Sequence, residues 1–91
     1  MKKASLSNNL EKTLKDRQQT HGDFKTHAAI SQELKSVLWK HDFHGLDNHQ
    51  VEALEMICHK IARILNGNPN THDHWHDIAG YATLVAKELE K

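Results

Sequence analysis

Acidic residues recur one helical turn apart on two consecutive predicted helices of this chain: Glu52 and Glu55 are three apart on the first, Asp73 and Asp77 four apart on the second. Each pair therefore lies along one helical side. Two such sides brought together would offer carboxylate oxygens to Mg2+, which prefers octahedral oxygen ligation and keeps waters for substrate phosphates to replace. Glu52, Glu55 and Asp77 are the expected ligands. An ion there would neutralise charge on a triphosphate and lower the pKa of an attacking water, the metal-assisted route to phosphoanhydride hydrolysis. Lys60 and Arg63 would add positive charge against the phosphates. The same residues also fit a plainer role. Glu52 points nearly opposite the middle of its helix's apolar arc, and Glu55–His59 and His59–Arg63 are four-residue neighbours of the kind that decorate a solvated face.

The chain has nine histidines, enough to make it cationic as pH falls towards 6 if several titrate near neutrality. His72, His74 and His76 invite a transition-metal reading, but residues two apart on a helix diverge by about 200°, so the three cannot converge on one ion and structural zinc is not expected. His21, beside Gly22 and Asp23, fits either a ligand pocket or a turn. Gly80 interrupts a helix at a cost of up to about 1 kcal/mol, and close helix approach is its simplest purpose. Trp75 and Tyr81 have faces that could stack on a nucleobase. At this spacing Trp75 reads as core, while Tyr81 sits on the flank of the stripe.

Helices must position these groups. Apolar residues recur every three or four positions, there is one proline, and no sustained alternation suggests a strand. The pattern predicts an all-α fold, a small four-helix-bundle-like domain over residues 1–91 with 1–6 flexible. A first, polar helix over 7–19 carries Leu10 and Leu14 and begins near Ser7, which could cap it. Asp23 caps a second, with Phe24, Ala28, Ile30, Leu34, Val37 and Leu38 as its apolar surface and Trp39 at its end. After a loop from His41 to Leu46, Asp47 and Gln50 resemble a capping box opening the third helix. Val51, Leu54, Ile57, Cys58, Ile61, Ile64 and Leu65 fall within an arc of about 140° on that helix, a core-facing pattern. Asn66-Gly67 should end it through a left-handed residue, with Pro69 preventing continuation. Thr71 or Asp73 starts the last helix, whose stripe is Trp75, Ile78, Ala82, Val85 and Leu89. The third and fourth helices then form a C-terminal antiparallel hairpin. In that hairpin Glu52 lies roughly 20 Å from the turn and Asp77 about 9 Å, so a complete acidic site would need the other helices to tilt or a second subunit.

Arg17, His21-Gly22-Asp23, Lys60-Ile61-Ala62-Arg63 and Asp73-x-Trp75-x-Asp77-Ile78-Ala79-Gly80-Tyr81-Ala82 resemble a group of small phage and prophage proteins over most of the chain. That group is similar in turn to the MazG-like all-α nucleoside triphosphate pyrophosphatases and to phage domains associated with nucleotide modification. The MazG-like pattern, Glu-x-x-Glu followed by Glu-x-x-Asp, reads here as Glu52-x-x-Glu55 and His74-x-x-Asp77, with histidine in place of one glutamate. The resemblance implies a helical bundle assembled as a dimer or tetramer, nucleotides as the substrate class, magnesium on Glu52, Glu55 and Asp77, and Arg17, Lys60, Arg63, His74 and Tyr81 around the substrate.

Composition narrows the field. Lys plus Arg and Asp plus Glu each total 12, so no net field draws the chain to nucleic acid and nonspecific DNA binding is not expected. No apolar run approaches the roughly 20 residues of a membrane span, and polar residues follow Met1-Lys2-Lys3 where a secretory signal would need an apolar core, so the expected location is the cytoplasm, a host's if the chain is phage-encoded. The single cysteine, Cys58, reads as a buried, reduced thiol. A chain this short has too little interior to cover every helix face, which favours a homo-oligomer. Two functions compete: a nucleotide-binding or Mg-dependent pyrophosphohydrolase-like protein, and a noncatalytic helical module that binds a host or phage protein through its spare faces. A nucleotide-binding protein that has lost hydrolysis is a third, to which His74 is well suited.

Overall fold

The computed structural model describes residues 2–41 and 43–91, with side chains from Asn9 onward. The chain is all-α, with helices α1 (Lys2–His21), α2 (Phe24–Lys40), α3 (Asn48–Asn66) and α4 (His72–Leu89) and a short 3-10 turn at Phe43–Gly45. Among the described residues there is no strand. The expectation of flexibility over 1–6 falls partly on Met1, outside the described residues.

Local chemistry accounts for most boundaries. No glycine or proline interrupts Lys2–His21, so α1 runs well beyond the expected 7–19 and Ser7 lies within it rather than capping it. It stops at Gly22, whose φ of 80° is costly for any residue with a Cβ and whose N–H donates to the Gln18 carbonyl at 2.8 Å. Asp23 caps α2 as expected, its carboxylate accepting from the Thr26 N–H at 3.1 Å. Gln50 accepts from the Asp47 N–H at 2.9 Å at the start of α3. The end of α3 departs from expectation. Gly67 has φ −115°, outside the left-handed region. It is pressed against α1 instead: a Cβ at Gly67 would stand 2.3 Å from the Thr20 carbonyl oxygen.

The central element is α3. Helices α2 and α4 pack against it from either side and scarcely touch each other, while α1 meets the rest mainly through its C-terminal end. The α3–α4 hairpin is the closest pairing, as the sequence implied. Burial on α3 follows from this arrangement. Ala53 and Lys60, towards α4, and Cys58 and Ala62, towards α2, are buried, whereas Leu54 and Ile61 in the middle of the apolar arc are only half-buried and Leu65 is 68 % exposed. Trp75 likewise is 55 % exposed, not core, and its indole N–H donates to the Pro69 carbonyl at 2.7 Å. Phe43 is buried with its ring 4.9 Å from Trp39. The molecule measures 53 × 28 × 26 Å with a radius of gyration of 16.2 Å. A compact domain of this length would have one of about 12 Å.

Candidate functional site

Four helix ends converge at one junction. Thr20, at the end of α1, offers its carbonyl to two donors from the other side of the molecule, the Asn68 N–H at 3.1 Å and His74 Nε2 at 3.1 Å. A carbonyl only accepts, so this bond places the His74 proton on Nε2. Asn66 Nδ2 donates to the Asp23 carbonyl at 2.8 Å and the His21 carbonyl at 3.3 Å, tying the α1–α2 turn to the end of α3. These bonds let backbone meet backbone where Gly22 and Gly67 stand.

On the outer side of the junction is a cavity of about 390 Å³, within the range of small-molecule sites. Arg17, His21, His27 and Arg63 line it, together with Leu14, Phe24 and the Gly22-Asp23 turn. The positive end of α2 opens beside it. The Asp23 carboxylate is already engaged by the Thr26 N–H and hydroxyl at 3.1 and 3.2 Å. His27 is only 9 % exposed, and its Nδ1 has no hydrogen-bond partner. A buried polar atom left unpaired costs free energy. Phe24 is 80 % exposed at the rim, an aromatic face open to stacking.

The local field is cationic. Burial, then the Arg63 charge, then His74, Lys60 and Arg17 depress the His21 pKa from 6.5 to about 4, so the ring is neutral at pH 7. Burial followed by Arg63 lowers His27, and burial followed by Lys35 lowers His59, whose ring centroid lies 5.8 Å from that of His27. These three shifts make stability pH-dependent. The unfolded chain takes up protons at these histidines first, so the fold loses stability as pH falls from about 7 towards 4 and the loss levels off below the folded values. We expect His21 to contribute roughly 1 to 2 kcal/mol of that loss, allowing for its partial solvent exposure. Urea unfolding at pH 7.5 and pH 4.5 checks this, and equal stability at the two would contradict it.

The cavity includes only part of the expected site. Arg17 and Arg63 come together there. Lys60 stands behind it, buried, with Nζ 2.9 Å from Asp77 Oδ2. That hydrogen bond is the first cause of the low Asp77 pKa. His74 is 2 % exposed and committed to Thr20. Tyr81 and Glu52 line a separate cavity of about 380 Å³ between α3 and α4, and Glu55 lies on the α2 side of α3 near Cys58 and His59. Among the described residues no three His, Cys, Asp or Glu side chains gather so as to hold a metal ion, so Glu52, Glu55 and Asp77 do not converge within one chain. His72 and His76 do share a helix side, their rings stacked 5.5 Å apart, while His74 points inward. Cys58 is buried, and burial raises its pKa, as an inert thiol requires.

The family described as "Domain of unknown function (DUF6378)" matches residues 5–89, nearly the whole sequence. The chain belongs to this family. No curated protein and no solved structure matches it. The junction and its cavity thus lie wholly within the DUF6378 domain. Sequence reading missed two of that domain's site residues, His27 and Asn66. His27 and Ser31 continue the three- and four-residue spacing of Leu34 and Leu38 on α2, so a histidine on an otherwise buried face was the available signal. Nothing local marks Asn66 as the clasp between α3 and the α1–α2 turn.

Proposed function

We propose that this DUF6378 domain binds a phosphorylated small molecule of the nucleotide class, with its phosphates between Arg17 and Arg63 at the N-terminus of α2 and its base against Phe24. The observation that carries this reading is a cavity lined by two arginines, Arg17 and Arg63, and by two histidines, His21 and His27, whose pKa values are both lowered. Arginine suits phosphate through paired, charge-assisted hydrogen bonds. A phosphate would add negative charge beside the two arginines, where the Asp23 carboxylate is already engaged by Thr26, and so would raise the depressed His21 pKa. The resemblance to phage and prophage proteins and to MazG-like pyrophosphatases favours a nucleoside triphosphate. Magnesium on this reading arrives with the triphosphate; hydrolysis would require Glu52, Glu55 and Asp77 to be completed by groups from a second copy.

A thermal-shift panel of nucleotides, with and without magnesium, tests the proposal. At ligand concentrations about a hundred times Kd the fold should gain roughly 2.7 kcal/mol, and Arg17→Ala or Arg63→Ala should each weaken binding about tenfold or more. A melting curve unmoved by every nucleotide would reject it. A second reading, a noncatalytic module for a host or phage protein, is supported by α1, whose side chains from Asn9 to Gln19 are all exposed, Leu10 and Leu14 included. It predicts capture of a specific partner with no nucleotide effect.

A further inference from the structure

On the face of α3 opposite Arg63 and the cavity, helical position leaves an apolar trough between α2 and α4. The α3 positions that touch α2 and α4 are buried, yet the centre of the same arc is not: Leu54 and Ile61 are half-buried and Leu65 is exposed. Helical position turns Val37 of α2 and Trp75 and Leu89 of α4 towards the same side, and all three are more than half exposed. Helical position places no Lys, Arg, Asp or Glu of α3 or α4 on this side. A single layer of helices cannot bury such a face by itself; a second layer must cover it.

We propose that a second copy of this chain supplies that layer, the trough of one protomer packing face to face on the trough of the other. Three points select this occupant. The face is free of charge along α3 and α4, as the cores of homodimer interfaces tend to be, and an identical face is complementary to it without any counter-charge. Its size fits: helices of 17 to 19 residues at axis spacings of about 8–10 Å make a face of roughly 600–700 Å², near the ~800 Å² per partner of a stable interface. The arrangement of α2 and α4 on either side of α3, with little contact between them, is that of half a bundle. The proposal is independent of the nucleotide reading, because the cavity lies on the other side of α3.

Analytical ultracentrifugation of the full chain, from about 1 to 100 μM, tests it, with helix content followed by circular dichroism. The wild type should be dimeric over the upper part of that range. Leu65→Glu and Val37→Glu, two independent surface changes in a monomer, should each raise the dimer dissociation constant at least tenfold while helix content is kept. Leu84→Glu, on the opposite flank of α4 and just as exposed, should leave it unchanged. A wild type that stays monomeric at 100 μM would overturn the proposal. So would folded Leu65→Glu and Val37→Glu variants that still dimerise, or dissociation caused by Leu84→Glu alone.

Discussion

Gly22→Ala is expected to destabilise the fold by about 3 kcal/mol or more. Two penalties add. An L-residue at φ 80° costs about 1–2 kcal/mol over glycine. A Cβ at that position would also stand 2.3 Å from the Asn66 carbonyl oxygen and 2.5 Å from Asn66 Nδ2, and the backbone there cannot retreat without breaking the bonds from Asn66 to the α1–α2 turn. In urea the midpoint should fall while the slope is unchanged. Gly80→Ala is the matching control. Nothing lies within 4 Å of a Cβ built there, so the close helix approach expected of Gly80 is not made within the chain, and alanine should stabilise the monomer by up to about 1 kcal/mol. Equal effects of the two substitutions would mean that the junction is not as tightly closed as described.

The second large effect is expected at His74. Truncation to alanine removes a buried ring, its bond to the Thr20 carbonyl and its contact with His21 at a centroid distance of 5.0 Å, for a loss of about 2–4 kcal/mol. His74→Glu should cost still more. A carboxylate would set an acceptor against the Thr20 carbonyl and bury a charge with no donor opposite. The side chain at position 74 must donate a hydrogen bond to the Thr20 carbonyl, and histidine can while an ionised glutamate cannot. Thermal unfolding that ranks the wild type above His74→Ala and His74→Ala above His74→Glu would bear this out. A stable His74→Glu variant would contradict it.

Much of the fold was legible because its signals are local. The caps at Asp23 and Asp47, the three- and four-residue periods and the break at Gly67-Asn68-Pro69 are each set within a few residues. The failures are those of tertiary placement. Val51 to Leu65 announce a core-facing arc, but periodicity cannot say which part of the arc will find a neighbour, and α2 and α4 cover only its edges. Lys60 looked like a phosphate ligand, yet its long stem takes it inward to Asp77 across the hairpin, a contact governed by register rather than by residue type. Arg17 and Arg63 lie 46 positions apart, and only the junction shows that they share a cavity, which His27 and Phe24 complete from a helix that the acidic motif never touches.

The proposed binding of a phosphorylated ligand rests on that cationic cavity. Isothermal titration of a magnesium nucleoside triphosphate into the wild-type chain and into Arg63→Ala at pH 7 probes it most directly. We predict measurable binding to the wild type, weakened about tenfold or more by Arg63→Ala. Equal affinity of the two proteins, or no heat from either, would contradict it.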